Sequence, residues 1–502
     1  MFLIVIIDER RILVVFIGKP QWEAGWPFLS HDNEETISKI REHFTKKFSN
    51  VNFSFERIIT TYNINQINDI KEKVKKSNGL IIFTIGHYGD PGIIQAGKEL
   101  LELNKPSILA NLLYAGDHTF TKIYSQVKKN QSRFLSISSK NLDDFDEGIE
   151  ILIRLTKLHG KKILVHASEV IKMNWPVILN LFNPERKNII KTNPEFINQI
   201  SRMSSDINFE FYTDTKGLDQ AHQWRKDEKK YRDNLRKIFD VEMIRGDPQE
   251  ILKYYNEIDD RLAQEIVEKW CEKALKVYPS KETILNSAKL YFAFKKLLED
   301  KGIDIYAPDC GTFLLTGILP AYPCMAFFEL SKQGYYGICE SDMDCAISYL
   351  FGLTLTGRPG FVSNQSLDTS KNQITYMHCV APSKLHGLEG NEASYEIRYH
   401  GETHLLGASP SVKFPIGEIL TTIKISVFNK KIALRTGKIV DNVVDDNGCV
   451  TKVLVKGNVK KILENYDWES FGWHRVSFVG NWRNIFIKGA ELLGLEIIEE
   501  DK

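Results

Sequence analysis

The chain is 502 residues long, 43% hydrophobic and 26% charged, and its 66 Lys and Arg against 65 Asp and Glu leave a formal charge of +1. That composition is globular and excludes a disordered or fibrous chain. It offers no basic excess to hold a phosphate backbone, so no nucleic-acid partner is expected. At about 150 residues per domain the length calls for more than one core.

The opening stretch "MFLIVIIDERRILVVFIGKP" holds two apolar runs broken by Asp8, Glu9, Arg10 and Arg11. Neither run approaches the roughly 20 apolar residues of a bilayer span, and no charged segment precedes the first. Ile12 to Ile17 reads as a buried first strand, and what precedes it as an extra strand. No membrane partner is expected. The seven cysteines contain no CxxC pair, which fits buried thiols in a reducing cytoplasm better than a disulfide framework.

From Ile12 onward, the aliphatic runs "ILVVFIG", "LIIFTIGH", "PSILANL" and "RFLSIS" alternate with helical spacing such as "EETISKIREHFTKKF". Continuous apolar strands between amphipathic helices predict a parallel sheet covered on both faces. This N-terminal α/β domain is expected over residues 1–160. A second α/β domain, residues 161–358, opens on "KKILVHA" and passes through charged helices to "IDIYAPD" and "YYGICE". After Gly360 the pattern changes to hairpin-joined strands, "NQITYMHCVAP", "EILTTIKISVFNKKIALRTGKIV" and "CVTKVLVKG" among them. Residues 359–502 therefore predict a β-rich, barrel-like C-terminal domain. The fold class is α/β, with two Rossmann-like parallel sheets and that β-rich third part.

"GICESDMDCAISYL" places Glu340, Asp342 and Asp344 within five residues, between an apolar run and a helical segment. In open α/β sheets ligands bind at the carboxyl ends of the strands. Asp342 and Asp344 read as helix-start residues, and Asp342 as the N-cap. Glu340, at the expected strand end, is the candidate for chemistry. A strand "RPGFVSN" is expected to end at Asn364, with Asp368 in the following turn. His378 and His474 sit in two later strand-like runs. Carboxylate and amide oxygens with one imidazole suit an ion such as Mn²⁺ or Mg²⁺ better than tetrahedral zinc.

The run "DCGTFLLTGILPAYPCMAFFELSKQGYYGICESDMDCAISYLFGLTLTGRPGFVSN", followed in order by "YMHCVAP" and "FGWHRVSFVGNWR", resembles the L-fucose isomerase and L-arabinose isomerase superfamily. With "KIFDVEMIRGDPQEILKYYNEI" upstream, the resemblance runs from about Lys161 to the C-terminus. It implies a homohexamer or homotrimer and metal-dependent aldose–ketose isomerisation of a monosaccharide. It also implies a cation, usually Mn²⁺, held by a glutamate, an aspartate and a histidine. Matched by motif, the glutamate is Glu340 of "CESD" and the histidine is His474 of "WHRV". The aspartate position holds Asn364, and the family's Gly-Asp after the histidine strand is here Gly480-Asn481.

Such a reaction moves a proton between C1 and C2 through a cis-enediol, whose paired oxygens a divalent cation stabilises. On this reading Glu340 is metal ligand and base, and Asn364 and His474 complete the protein ligands. Asp368 or Asp342 is the second proton carrier, because an amide cannot relay a proton. His378, the pair His400 and Glu402 of "RYHGE", and His87 of "GHYGDPG" are candidate substrate contacts. No GxGxxG or GK[ST] occurs after a strand, so no nucleotide cofactor is expected. Two alternatives stay open: a non-catalytic sugar-binding or regulatory homologue, and a different metal-assisted sugar lyase or dehydratase on the same fold.

Overall fold

The computed structural model describes residues 11–21, 28, 30–58, 64–86, 91–128, 133–167, 220–315, 319–401, 407–445 and 448–502. The chain divides into two compact units, residues 1–159 with 484–496, and residues 160–483 with 497–502.

In the first unit, β1 (Arg11–Ile17), β2 (Asn52–Ile58), β3 (Gly79–Thr84), β4 (Ser107–Leu112) and β5 (Phe134–Ser139) form a sheet of order β2-β1-β3-β4-β5. The ladders of β1 with β2 and β3, of β3 with β4, and of β4 with β5 are all parallel. Ile12 to Ile17 and Leu80 to Phe83 are buried throughout, as strands covered on both faces must be. The sequence reading omitted β2. It lies at the sheet edge with a half-exposed pattern, so no apolar run marks it. The helix Asn33–Lys47 starts where the Asp32 carboxylate accepts from the amides of Glu34 and Glu35. Glu34 and Glu35 in its first turn and Lys46 and Lys47 in its last complement the helix dipole.

The second unit holds the other three sheets. β6 (Lys162–His166), β7 (Glu242–Arg245), β8 (Ile305–Pro308) and β9 (Tyr336–Gly337) form a parallel sheet of order β7-β6-β8-β9. The helix Lys281–Lys301 leads into β8. Ser280 caps its start through the Thr283 amide, and Gly302, at φ 62°, ends it.

The antiparallel part is built from β10 (Phe361–Asp368), β11 (Gln373–His378), β14 (Ile419–Ser426), β15 (Lys431–Asn442), β16 (Thr451–Lys456) and β17 (Arg475–Val479). Their order is β14-β17-β10-β11-β16-β15, and a further β14–β15 ladder closes the ring into a barrel. Two more strands, β12 (Tyr395–Tyr399) and β13 (Ala408–Val412), form a separate antiparallel pair, and β18 (Glu496–Glu499) adds to β15. Parallel α/β sheets followed by a β-barrel are the fold class the sequence predicts.

The helix Met343–Thr356 joins the parallel sheet to the barrel and is buried along almost its whole length. A Cβ on its Gly352 would lie 2.1 Å from the Phe478 ring on β17. Glycine here is therefore a packing requirement, and it lets the helix sit directly against the barrel wall. Asp342, at the start of this helix, and His474, just before β17, come from the two elements so joined.

All seven cysteines are free thiols, six of them buried. Among the described residues, no helix is long and apolar enough to cross a membrane.

Candidate active site

After β9 the chain enters a short turn, Cys339–Ser341, before the helix at Met343. The strand is thus shorter than the sequence suggested, and Glu340 sits in the turn rather than at the strand's end. Glu340 has φ 61° and Ser341 φ 49°. Two successive non-glycine residues in the left-handed region cost on the order of 1–3 kcal/mol each and persist only when surrounding contacts hold them. One such contact is visible: the buried Trp224 indole donates to the Ser341 carbonyl at 2.9 Å. The turn aims the Glu340 side chain, 38% exposed, toward two buried imidazoles.

His474 Nε2 lies 3.7 Å from Glu340 Oε2, and His378 Nε2 lies 3.9 Å from Glu340 Oε1. The two imidazole centroids are 5.6 Å apart. Donor atoms of Glu340, His378 and His474 all fall within 4.8 Å of one another. An ion about 2.1 Å from each ligand needs neighbouring ligands roughly 3.0–3.4 Å apart, so small side-chain shifts would suffice.

Three buried polar atoms test whether a cation fits. His378 is 3% exposed, yet neither of its ring nitrogens has a hydrogen-bond partner among the described residues, and Asn364 Oδ1 is in the same state. Buried polar atoms are ordinarily satisfied. An imidazole with no hydrogen-bond partner among the described residues, 3.9 Å from a carboxylate oxygen, fits a cation ligand. Asn364 pairs with Met377 across β10 and β11. On the other side the ladder ends at Ser363 with Arg475, the residue that follows His474.

Behind His474 stands Asp342. Its Oδ2 is 3.0 Å from His474 Nδ1 and 2.7 Å from Lys424 Nζ, and its Oδ1 accepts from the Cys345 amide at 2.8 Å. The N-cap expected from sequence is present, and the same carboxylate also orients the imidazole. Burial opposes ionisation of Asp342, but the Lys424 charge and then His474 outweigh it and hold the carboxyl well below its usual range. Burial likewise opposes a charge on His474, which Glu340 and Asp342 nonetheless raise above its ordinary value. His378 goes the other way: burial, reinforced by His474, pushes it down to about 3 and keeps it neutral. A neutral imidazole is the form that binds metal. Asp344, in the first turn of the same helix, is pushed up to about 7 by burial, against the pull of Lys424, and accepts from the Tyr231 hydroxyl at 2.8 Å.

One other expectation needs correction. Asp368 does not join this cluster. It is the last residue of β10, which runs on through Asn364 instead of ending there, and at 3.3 Å per residue it lies about 13 Å farther along. Its carboxylate accepts from Ser370 and from the Lys371 amide in the hairpin turn. His400 is buried and stacks on Tyr322, with centroids 3.5 Å apart and planes 3° from parallel. It is not one of the three clustered residues. Glu402 and His87 lie outside the described residues.

Sequence reasoning treated His378 as a substrate contact and passed over Lys424. The available signal for the latter was a single lysine inside the otherwise uncharged strand "ILTTIKIS", which is buried from Leu420 to Ser426.

No family model matches the chain. A 92-residue segment, 18% of the chain, is 33% identical to a sulfoquinovose isomerase from Clostridium sp. (strain MSTE9). The match spans 20% of that protein, so the chain aligns with about a fifth of the curated relative's length. This relates part of the chain to a sugar isomerase. Among solved structures, a periplasmic solute-binding protein of an ABC transporter from Actinobacillus succinogenes 130z, with bound D-allose, aligns over 69% of this chain and 92% of its own. Its identity is 11% and its TM-score 0.17, too low to carry an argument about fold or ligand.

Proposed function

We propose that the protein is a metal-dependent aldose–ketose sugar isomerase. The observation that carries this reading is the convergence of Glu340, His378 and His474, distant in sequence, with donor atoms within 4.8 Å of one another. The partial similarity to a sugar isomerase supports the same class.

Glu340, His378 and His474 would hold a divalent cation such as Mn²⁺, with the Asn364 oxygen beside them. When bound, the ion supplies Lewis-acid stabilisation of the negative charge that develops on two adjacent sugar oxygens as a proton leaves carbon. Glu340 is the partly exposed carboxylate of the group, so it is the one that can reach a substrate proton. Asp342 is not a proton carrier on this account, because Lys424 and His474 keep it ionised and its oxygens are engaged. It fixes the imidazole instead. His378, held neutral, offers a lone pair without first losing a proton.

Asn364 favours one second reading, a homologue that binds sugar and metal without turnover, because an amide at that position cannot relay a proton. Metal analysis and an aldose screen with Mn²⁺, including sulfoquinovose, separate the two. The isomerase reading expects one tightly held ion per chain and ketose formation that falls about 10²–10⁴-fold in Glu340→Gln. Metal uptake without turnover on any aldose would favour the second reading, and a natively folded protein that takes up no ion would overturn both.

A further inference from the structure

Lys424 is 2% exposed, on a barrel strand, and is not among the ligands proposed above. Its Nζ lies 2.7 Å from Asp342 Oδ2 and 2.9 Å from Cys345 Sγ. Burying an ammonium costs several kcal/mol unless its partners are well placed, so a lysine at this depth calls for an account.

The surroundings give one. Asp342, Cys345 and His474 form a second group whose donor atoms lie within 4.8 Å of one another, the spacing of a cation site. Lys424 bonds two of its three members. A cation supplied by the protein therefore stands where a second metal ion could otherwise bind. Asp342 Oδ2 is shared between the Lys424 ammonium and His474 Nδ1, while its Oδ1 takes the Cys345 amide at the helix start. With three donors converging on it, the carboxylate has one orientation. The ring is thereby turned with Nδ1 3.0 Å from Asp342 Oδ2 and Nε2 on the side facing Glu340, 3.7 Å from its Oε2.

We infer that Lys424 is a positioning residue: its ammonium locks Asp342, which holds the His474 ring with Nε2 aimed at the ion between Glu340 and His378. This rests on the metal reading proposed above. Partners that orient metal-bound histidines typically change metal affinity 10–100-fold when removed. Lys424 acts one bond further out and works through Asp342, so its effect must vanish when Asp342 cannot pass it on.

The test is a double-mutant cycle read as Mn²⁺ affinity by calorimetry, on wild type, Lys424→Met, Asp342→Asn and the double variant, with circular dichroism to confirm the fold. Affinity is expected to fall about 10–100-fold in Lys424→Met, and the double variant is expected to bind no more weakly than Asp342→Asn alone. Wild-type affinity in a folded Lys424→Met, or full additivity in the cycle, would overturn the inference while leaving the metal site intact. Wild-type protein that binds no Mn²⁺ would instead defeat the metal reading. A second measurement needs no variant of Lys424: ¹⁵N shifts of the histidine rings, with His474 assigned from His474→Gln. A proton on Nδ1 of His474 is expected, and one on Nε2 of the neutral ring would overturn the inference whether or not Lys424→Met folds.

Discussion

His474 faces two carboxylates with its two ring nitrogens: Nδ1 is 3.0 Å from Asp342 Oδ2, and Nε2 is 3.7 Å from Glu340 Oε2. The shorter contact is buried and orients the ring, whereas the longer one reaches a side chain that is 38% exposed. One acid of the "CESD" motif is thus engaged in buried contacts and the other, on the proposed reading, is the one open to substrate, although they are two residues apart. The turn that separates them carries the left-handed backbone at Glu340 and Ser341.

Replacing His378 should show two effects of one cause. As a direct ligand, its loss in His378→Met should weaken Mn²⁺ binding by more than the ~10–100-fold typical of outer-shell partners. In metal-free protein its depressed pKa also sets an acid window. The folded value is pushed down to about 3, so the neutral ring's contribution to stability is complete above the ordinary imidazole value of about 6.5 and is lost as pH falls toward 3. Urea unfolding in EDTA between pH 7.5 and 5 should show wild type losing more stability than His378→Met, by on the order of a kcal/mol per pH unit.

Asp344 should act in the opposite direction. Its folded-state value, about 7, lies above that of an exposed carboxyl. Its contribution is therefore complete at low pH and is lost as pH rises from about 4 through 7. Asp344→Asn removes the titration and keeps an acceptor for Tyr231. Unfolding midpoints measured at pH 5.5 and 8 should converge or cross, with the variant relatively more stable at pH 8. Parallel profiles would contradict the assignment.

Asn364→Asp supplies a carboxylate where a buried amide oxygen now has no hydrogen-bond partner among the described residues. Cation sites strengthen as ligand charge accumulates, so Mn²⁺ affinity should rise on the order of tenfold. Calorimetry checks this directly. An unchanged affinity would mean that the Asn364 side chain does not reach the ion.

Gly352→Ala tests the packing that brings helix and barrel together. The added Cβ would stand 2.1 Å from the Phe478 ring, which should cost ~1–3 kcal/mol of stability through overpacking. Because the same helix begins at Asp342, metal affinity should fall with it. Denaturant titration and calorimetry on one preparation would show both.

Much of this architecture was legible because buried parallel strands are written as uninterrupted aliphatic runs, as at Ile12–Ile17 and Leu80–Phe83. β2 was not, since a half-exposed edge strand has no such signature. Glu340 and His474 could be found because short motifs surround them. The approach of His378 to them could not, because it is created only when β11 and the turn after β9 close on each other. Asp368 was expected in a turn after a strand ending at Asn364, whereas β10 runs on and carries Asp368 about 13 Å farther along. Lys424 left a mark, one charge in a buried strand, that becomes readable only when Asp342 is found opposite it, 82 positions away.

The most direct test of the central claim is anomalous diffraction from crystals of the full chain grown with Mn²⁺. The account predicts one strong peak per chain, about 2.1–2.3 Å from a Glu340 carboxylate oxygen and from Nε2 of both His378 and His474. Full occupancy of a different site, or no peak between these three side chains at saturating Mn²⁺, would contradict it.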